Sequence, residues 1–147
     1  GNTPYIDEID LLEISTTGNA TDFGNLSTAT SDIIGVSSST RGAFMGGDQN
    51  PATTTTISFV SIASQGNSID YGDLRTAAKY GAGTSNSVKG LYGAAGDGAV
   101  NVIDQFQIPN GGTCTDFGDL SVSRQNIASG QISQAHGGLN DGYQGTK

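Results

Sequence analysis

The sequence predicts an all-β chain, made of three tandem antiparallel repeats of about four short strands each. Three observations predict it. Apolar residues alternate with polar ones in short runs, as in half-buried strands. Those runs recur at a nearly fixed spacing along the chain. Glycine supplies 23 of the 147 residues, enough for the many tight turns that such strands need. No segment carries a sustained helical period.

The spacing is clearest in two blocks. The first runs Ile9 to Ile14, Ile57 to Ile62 and Ile103 to Ile108. Each is followed at one constant distance by an aromatic, a glycine, Asn or Asp, and a leucine. These are Phe23-Gly24-Asn25-Leu26, Tyr71-Gly72-Asp73-Leu74 and Phe117-Gly118-Asp119-Leu120. The period is 48 residues, then 46, so the length difference falls elsewhere, as a loop allows. The second block follows the first. It reads Arg41-Gly42-Ala43-Phe44-Met45-Gly46-Gly47, then Lys89-Gly90-Leu91-Tyr92-Gly93-Ala94-Ala95, and has drifted at Ala135-His136-Gly137-Gly138-Leu139.

Each repeat then reads in order. A small-residue stretch forms the first strand (33–36, 80–83, 127–130). The block beginning at Arg41, Lys89 or Ala135 forms the second. The isoleucine-bounded run forms the third, and the aromatic-Gly segment the fourth. The chain divides into a half-unit 1–26, units 27–74 and 75–120, and a half-unit 121–147. It opens on a third strand, so Ile6 to Ile14 reads as strand, and it closes after a second. The two halves make one further unit.

Asp22, Asp70 and Asp116 precede the three aromatics. An Asp side chain can accept from the backbone N–H two residues on, and the glycine can take a backbone angle that other residues avoid. The tetrapeptide therefore reads as a turn. Phe23, Tyr71 and Phe117 are expected in equivalent surroundings, each ring tucked beneath its glycine. The alternative is a calcium site, but Ca²⁺ takes six to eight oxygens, and Asn25 replaces one carboxylate in the first copy.

Composition narrows the function. Net charge is −8, with only 6 Lys and Arg along the chain. Nucleic-acid binding needs a basic stripe, and none is present. An anionic membrane would repel the chain, and no apolar segment approaches a membrane span. No signal peptide is visible. Cys114 is the single cysteine and His136 the single histidine, too few for a zinc site or a nucleophile–base pair. Cys114 reads as a small buried residue. No cofactor or metal is expected. A carboxylate pair for glycoside hydrolysis remains open by counting alone, but repeated aspartates read first as structural.

The pattern resembles the Kelch repeat of β-propellers. The diglycine of that motif is matched by Gly46-Gly47, its aromatic position by Phe23, Tyr71 and Phe117, and its downstream arginine by Arg124. Thr30 and Ala78 stand in the other two arginine positions, and Ala94-Ala95 replaces one diglycine. The chain is also similar to tandem repeats in tail and other virion proteins of marine phages, especially those of cyanobacteria. The phrase Gly18-Asn19-Ala20-Thr21-Asp22-Phe23-Gly24-Asn25-Leu26 and the Thr40-Arg41-Gly42 phrase carry that likeness.

These resemblances imply β-propeller-like blades and a non-enzymatic structural or adhesive module, on a virion or otherwise outside the cell. The alternative is a lectin-like propeller that binds a surface glycan, with Tyr80, Tyr92 and Arg41 as candidate binding residues. Three blades do not close a ring, since propellers use about four to eight. The expected partner is a second copy of the chain, giving six blades, or neighbouring repeats of a longer array.

Overall fold

A computed structural model describes residues 5–96, 98–133 and 136–140, with side chains through Ile127. His136 lies on a strand whose side chains are outside the described residues, and Gly1 is outside them too. The fold is all-β, with twelve strands among the described residues. They are β1 (Glu8–Leu11), β2 (Thr21–Asn25), β3 (Ile34–Ser37), β4 (Arg41–Met45), β5 (Thr56–Ser61), β6 (Ile69–Asp73), β7 (Ala82–Ser85), β8 (Lys89–Gly93), β9 (Val100–Gln107), β10 (Gly111–Arg124), β11 (Ala128–Ser133) and β12 (His136–Asn140).

They form four antiparallel sheets. β3-β4-β5-β6 is one four-stranded meander and β7-β8-β9-β10 another. β1-β2 and β11-β12 are two-stranded. Alternating burial explains the strands: in β3, Ile34 and Val36 face inward while Gly35 and Ser37 face out. Ile34, Met45 and Ile57 pair in register across three strands and are all buried. Each such side chain stabilises the fold by about 1.5–3 kcal/mol.

The main core lies between the two four-stranded sheets. It joins Ile34, Val36, Met45 and Ile57 to Tyr92, Phe106, Ile108 and Cys114. Small residues let the first strands of the two sheets approach. A Cβ at Gly83 would stand 2.6 Å from Val36 Cγ1 and 2.7 Å from the Gly35 carbonyl oxygen, closer than real Cβ atoms come.

The aromatic tetrapeptide is not a turn. In all three copies it lies within a strand and forms a β-bulge. Gly24 pairs with Ile9 and Asp22 with Asp10, Gly72 with Ile57 and Asp70 with Ser58, Gly118 with Ile103 and Asp116 with Asp104. Phe23, Tyr71 and Phe117 are thus the extra, unpaired residues. The glycine after each has φ of 149°, 146° or 149°, a region that glycine alone reaches readily. The Asp70 side chain accepts from Gly72 N at 3.2 Å, as the local pattern suggests. Pairing with the one neighbouring strand both before and after the bulge keeps the segment extended.

The three rings do not share equivalent surroundings. Phe23 is 7 % exposed, Tyr71 is half-buried and Phe117 is 51 % exposed. The local backbone is the same; what covers the ring differs. Two further expectations shift. β1 ends at Leu11, so Leu12 to Ile14 lie beyond the strand. Ala128 pairs with Asn140, one residue past the gapless alignment with Ala82 and Gly93, and a register shift between Gln131 and Ser133 absorbs the extra residue.

Candidate functional site

Adding 48 or 46 to a residue number moves it to the corresponding place in the next repeat, and this exposes two versions of one site. In the second four-stranded sheet the site is filled. Tyr92 on β8 and Asp104 on β9 are cross-strand partners. Asp104 is 2 % exposed. The Tyr92 hydroxyl donates to Asp104 Oδ2 at 2.6 Å, and Arg75 Nε donates to Oδ1 at 2.8 Å. Arg75 Nη2 also reaches Asp104 Oδ1 at 2.7 Å and Asp116 at 3.1 Å. The buried carboxylate is therefore paired and hydrogen-bonded, the condition under which a buried charge is tolerated.

Protonation in this site is fixed. Desolvation, then the hydrogen bond to Asp104, pushes the Tyr92 hydroxyl well above its ordinary range. Burial, then the negative charge of Asp104, pushes the Cys114 thiol up to about 12. The hydrogen bond that Arg75 donates to Asp104 raises the guanidinium further. At neutral pH Tyr92 keeps its proton, and Cys114 is a thiol, the weaker nucleophile of its two forms. The group fastens the segment after β6 to the second four-stranded sheet.

In the first four-stranded sheet the same positions hold Ser27, Phe44 and Ser58. They line a shallow cleft with Leu26, Thr30 and Thr56. Its interior has room for about one water molecule. Nothing in it resembles the Arg75–Asp104 pair.

Arg41, one of the sequence candidates, sits at the junction between the two large sheets. Its guanidinium lies 5.0 Å from the Phe59 ring centre and 5.4 Å from that of Tyr71, within cation–π range. Nη1 donates to the Tyr71 hydroxyl at 2.5 Å, to Ile108 O at 3.2 Å and to Pro109 O at 2.5 Å. The Tyr71 hydroxyl donates to Ile108 O. Arg41 and Tyr71 thus hold the turn between β9 and β10 against the preceding sheet. Lys79 makes a second link, 3.3 Å from Asp48 in the loop after β4. The Asn50 N–H, then Lys79 after a smaller opposing effect of burial, holds the Asp48 carboxyl below its ordinary range.

The remaining candidates separate. Tyr92 is core. Tyr80 is an exposed ring, with Lys79 Nζ 5.3 Å from its centre. Gly46 and Gly47 follow β4 with φ of 61° and 100°. A Cβ at Gly46 would lie 2.2 Å from Ala78 O, and one at Gly47 2.5 Å from Ser31 O. The diglycine is thus a close crossing of backbones. Among the described residues, no group of three or more His, Cys, Asp or Glu could hold a metal ion, and no helix is long and apolar enough to cross a membrane.

Sequence reasoning missed Arg75 and Asp104. The available signal was a paired departure between aligned copies: Ser27 becomes Arg75 where Ser58 becomes Asp104. The sequence matches no protein-family model and no curated protein.

Proposed function

We propose that this chain is a non-enzymatic structural and adhesive module of β-propeller-type blades. It belongs on a phage virion or tail fibre, where its loops meet a surface. Two copies supply six blades. The observation that supports this reading is where the cations go. Arg41, Arg75 and Lys79 are all engaged in fastening one segment of the stacked sheets to another. The sequence likeness to marine phage virion repeats supplies the setting.

A second reading, glycan binding, rests on Tyr80. It is an exposed ring beside a lysine, and aromatic faces of this kind suit sugar stacking.

Labelled chain, incubated with intact marine cyanobacteria, tests the proposal. Saturable binding to a subset of strains, without turnover of chromogenic glycosides, is the expected result. Glycoside hydrolysis lost on replacing an aspartate would overturn it. Glycan-array binding abolished by Tyr80→Ala would move the conclusion to the lectin-like reading.

A further inference from the structure

The junction between successive sheets is built twice, and its two halves are each present once more without a mate. At the first junction, a Cβ at Gly24 would lie 2.4 Å from Gly66 O. Gly66 N donates to Phe23 O at 2.9 Å and Ser68 N to Asn25 O at 2.8 Å. At the second, a Cβ at Gly72 would lie 2.3 Å from Gly112 O, and one at Gly111 2.4 Å from Tyr71 O. In both, a bulge with its aromatic abuts the glycine turn of the following sheet.

Phe117-Gly118 is the third such bulge, with the same backbone angle. Nothing lies within 4 Å of a Cβ placed at Gly118, and Phe117 is largely open. The turn that would answer it also recurs, at Ile14 to Gly18. The corresponding isoleucines grade with the packing of the turn: Ile108, behind Arg41 and Tyr71, is 0 % exposed, Ile62 at the first junction is 45 % exposed, and Ile14 is 96 % exposed. The sheets agree. β11-β12 corresponds to the first two strands of a four-stranded sheet and β1-β2 to the last two.

We infer that two copies of this chain join head to tail, β12 of one pairing antiparallel with β1 of the other. The Ile14–Gly18 turn then seats on Phe117 and Gly118. This rests on the blade reading above and gives it an address. The register follows from the two complete sheets. Met45 pairs with Ile57 and Gly93 with Ile103, and Asn140 holds the corresponding place opposite Ala128. Asn140 of one copy therefore faces Ile9 of the other. The occupant is a second copy because one chain carries both complementary halves, and the contact continues an interface already formed twice within it.

Disulfide trapping tests this in a Cys114→Ser background. Asn140→Cys and Ile9→Cys chains are mixed and oxidised with copper–phenanthroline. The expected result is a cross-linked dimer from the mixture and none from either variant alone. Light scattering on the unaltered chain should give twice 14.9 kDa, falling to the monomer mass in Phe117→Ser, an exposed position whose change leaves the circular dichroism spectrum intact. A monomer at all concentrations, or cross-linking of Asn140→Cys with itself, overturns the inference. Mixed cross-links with a mass above two copies keep the junction and overturn the two-chain ring. If the junction forms but no cell surface is bound, the adhesive role falls and the interface stands. If cells are bound by a monomer, the reverse holds.

Discussion

Arg75, Tyr92 and Asp104 occupy in one sheet the places that Ser27, Phe44 and Ser58 occupy in the other. The backbone is repeated, down to the cross-strand pairing of Tyr92 with Asp104 and of Phe44 with Ser58. The filling is not. One version is a buried carboxylate with a tyrosine and an arginine; the other is a cleft lined by hydroxyls and a phenyl ring. The contrast teaches that the three differences act as a set. Asp104 without Arg75 would be a buried charge with too few partners, and Arg75 without Asp104 would keep only the exposed Asp116.

The largest effect should therefore come from breaking the set. Asp104→Ser alone leaves the Tyr92 hydroxyl buried and takes from Arg75 its main partner. Urea unfolding should show a loss of about 1–3 kcal/mol, the cost of a buried hydroxyl left without its acceptor. Arg75 adds little, because water reaches it once Asp104 is gone. The triple change Arg75→Ser, Tyr92→Phe, Asp104→Ser copies the other sheet's residues and should cost less than the single change. A triple variant weaker than Asp104→Ser would show that the two sites are not interchangeable.

A second contrast separates Cys114 from Ser68, its counterpart in the preceding repeat. Both are buried, but only the cysteine titrates. Its pKa is raised from 9.0 to about 12 by burial. Between those values the unfolded chain has lost the proton and the folded chain retains it. Unfolding then releases a proton, so stability is flat below about pH 9 and falls as pH rises above it. Tyr92 adds the same sign at higher pH. Cys114→Ser should remove up to about 1.4 kcal/mol per pH unit from that slope. Equal alkaline slopes in the two proteins would show that the thiol does not contribute.

Much of the architecture was legible because strands announce themselves locally. Alternation in Ile57 to Ile62 and small residues near Gly83 marked strands before any partner was known. The bulges were not legible. Asp70-Tyr71-Gly72 carries turn chemistry, and only β5 running on past it decides that the segment stays extended. The Arg75 network was hidden for the same reason, since its members are 29 residues apart or joined only across a sheet. Phe117 departs from Phe23 because exposure is set by the next sheet, which no local pattern records.

The smallest prediction concerns a position that all three repeats strain in the same way. Asp32, Tyr80 and Asn126 each precede the first strand of a sheet, with φ of 55°, 62° and 53°. Asp and Asn tolerate this left-handed conformation because their short polar side chains bond locally; a bulky ring does not. The strain at Tyr80 thus belongs to the repeat and is no evidence of a binding role. Tyr80→Asn should relieve it and forfeit the contact with Lys79, worth about 0.5 kcal/mol at an exposed site. Lys79 keeps its ion pair with Asp48. The balance is a gain of about 0.5 kcal/mol by urea unfolding, since a left-handed residue costs roughly 1–2 kcal/mol. Tyr80→Val should instead lose stability, because a branched Cβ worsens the clash. Glycan or cell binding measured on the more stable Tyr80→Asn protein then separates the two functional readings without unfolding as a confounder. Binding that survives assigns the contact to other residues, and binding that disappears assigns it to this ring.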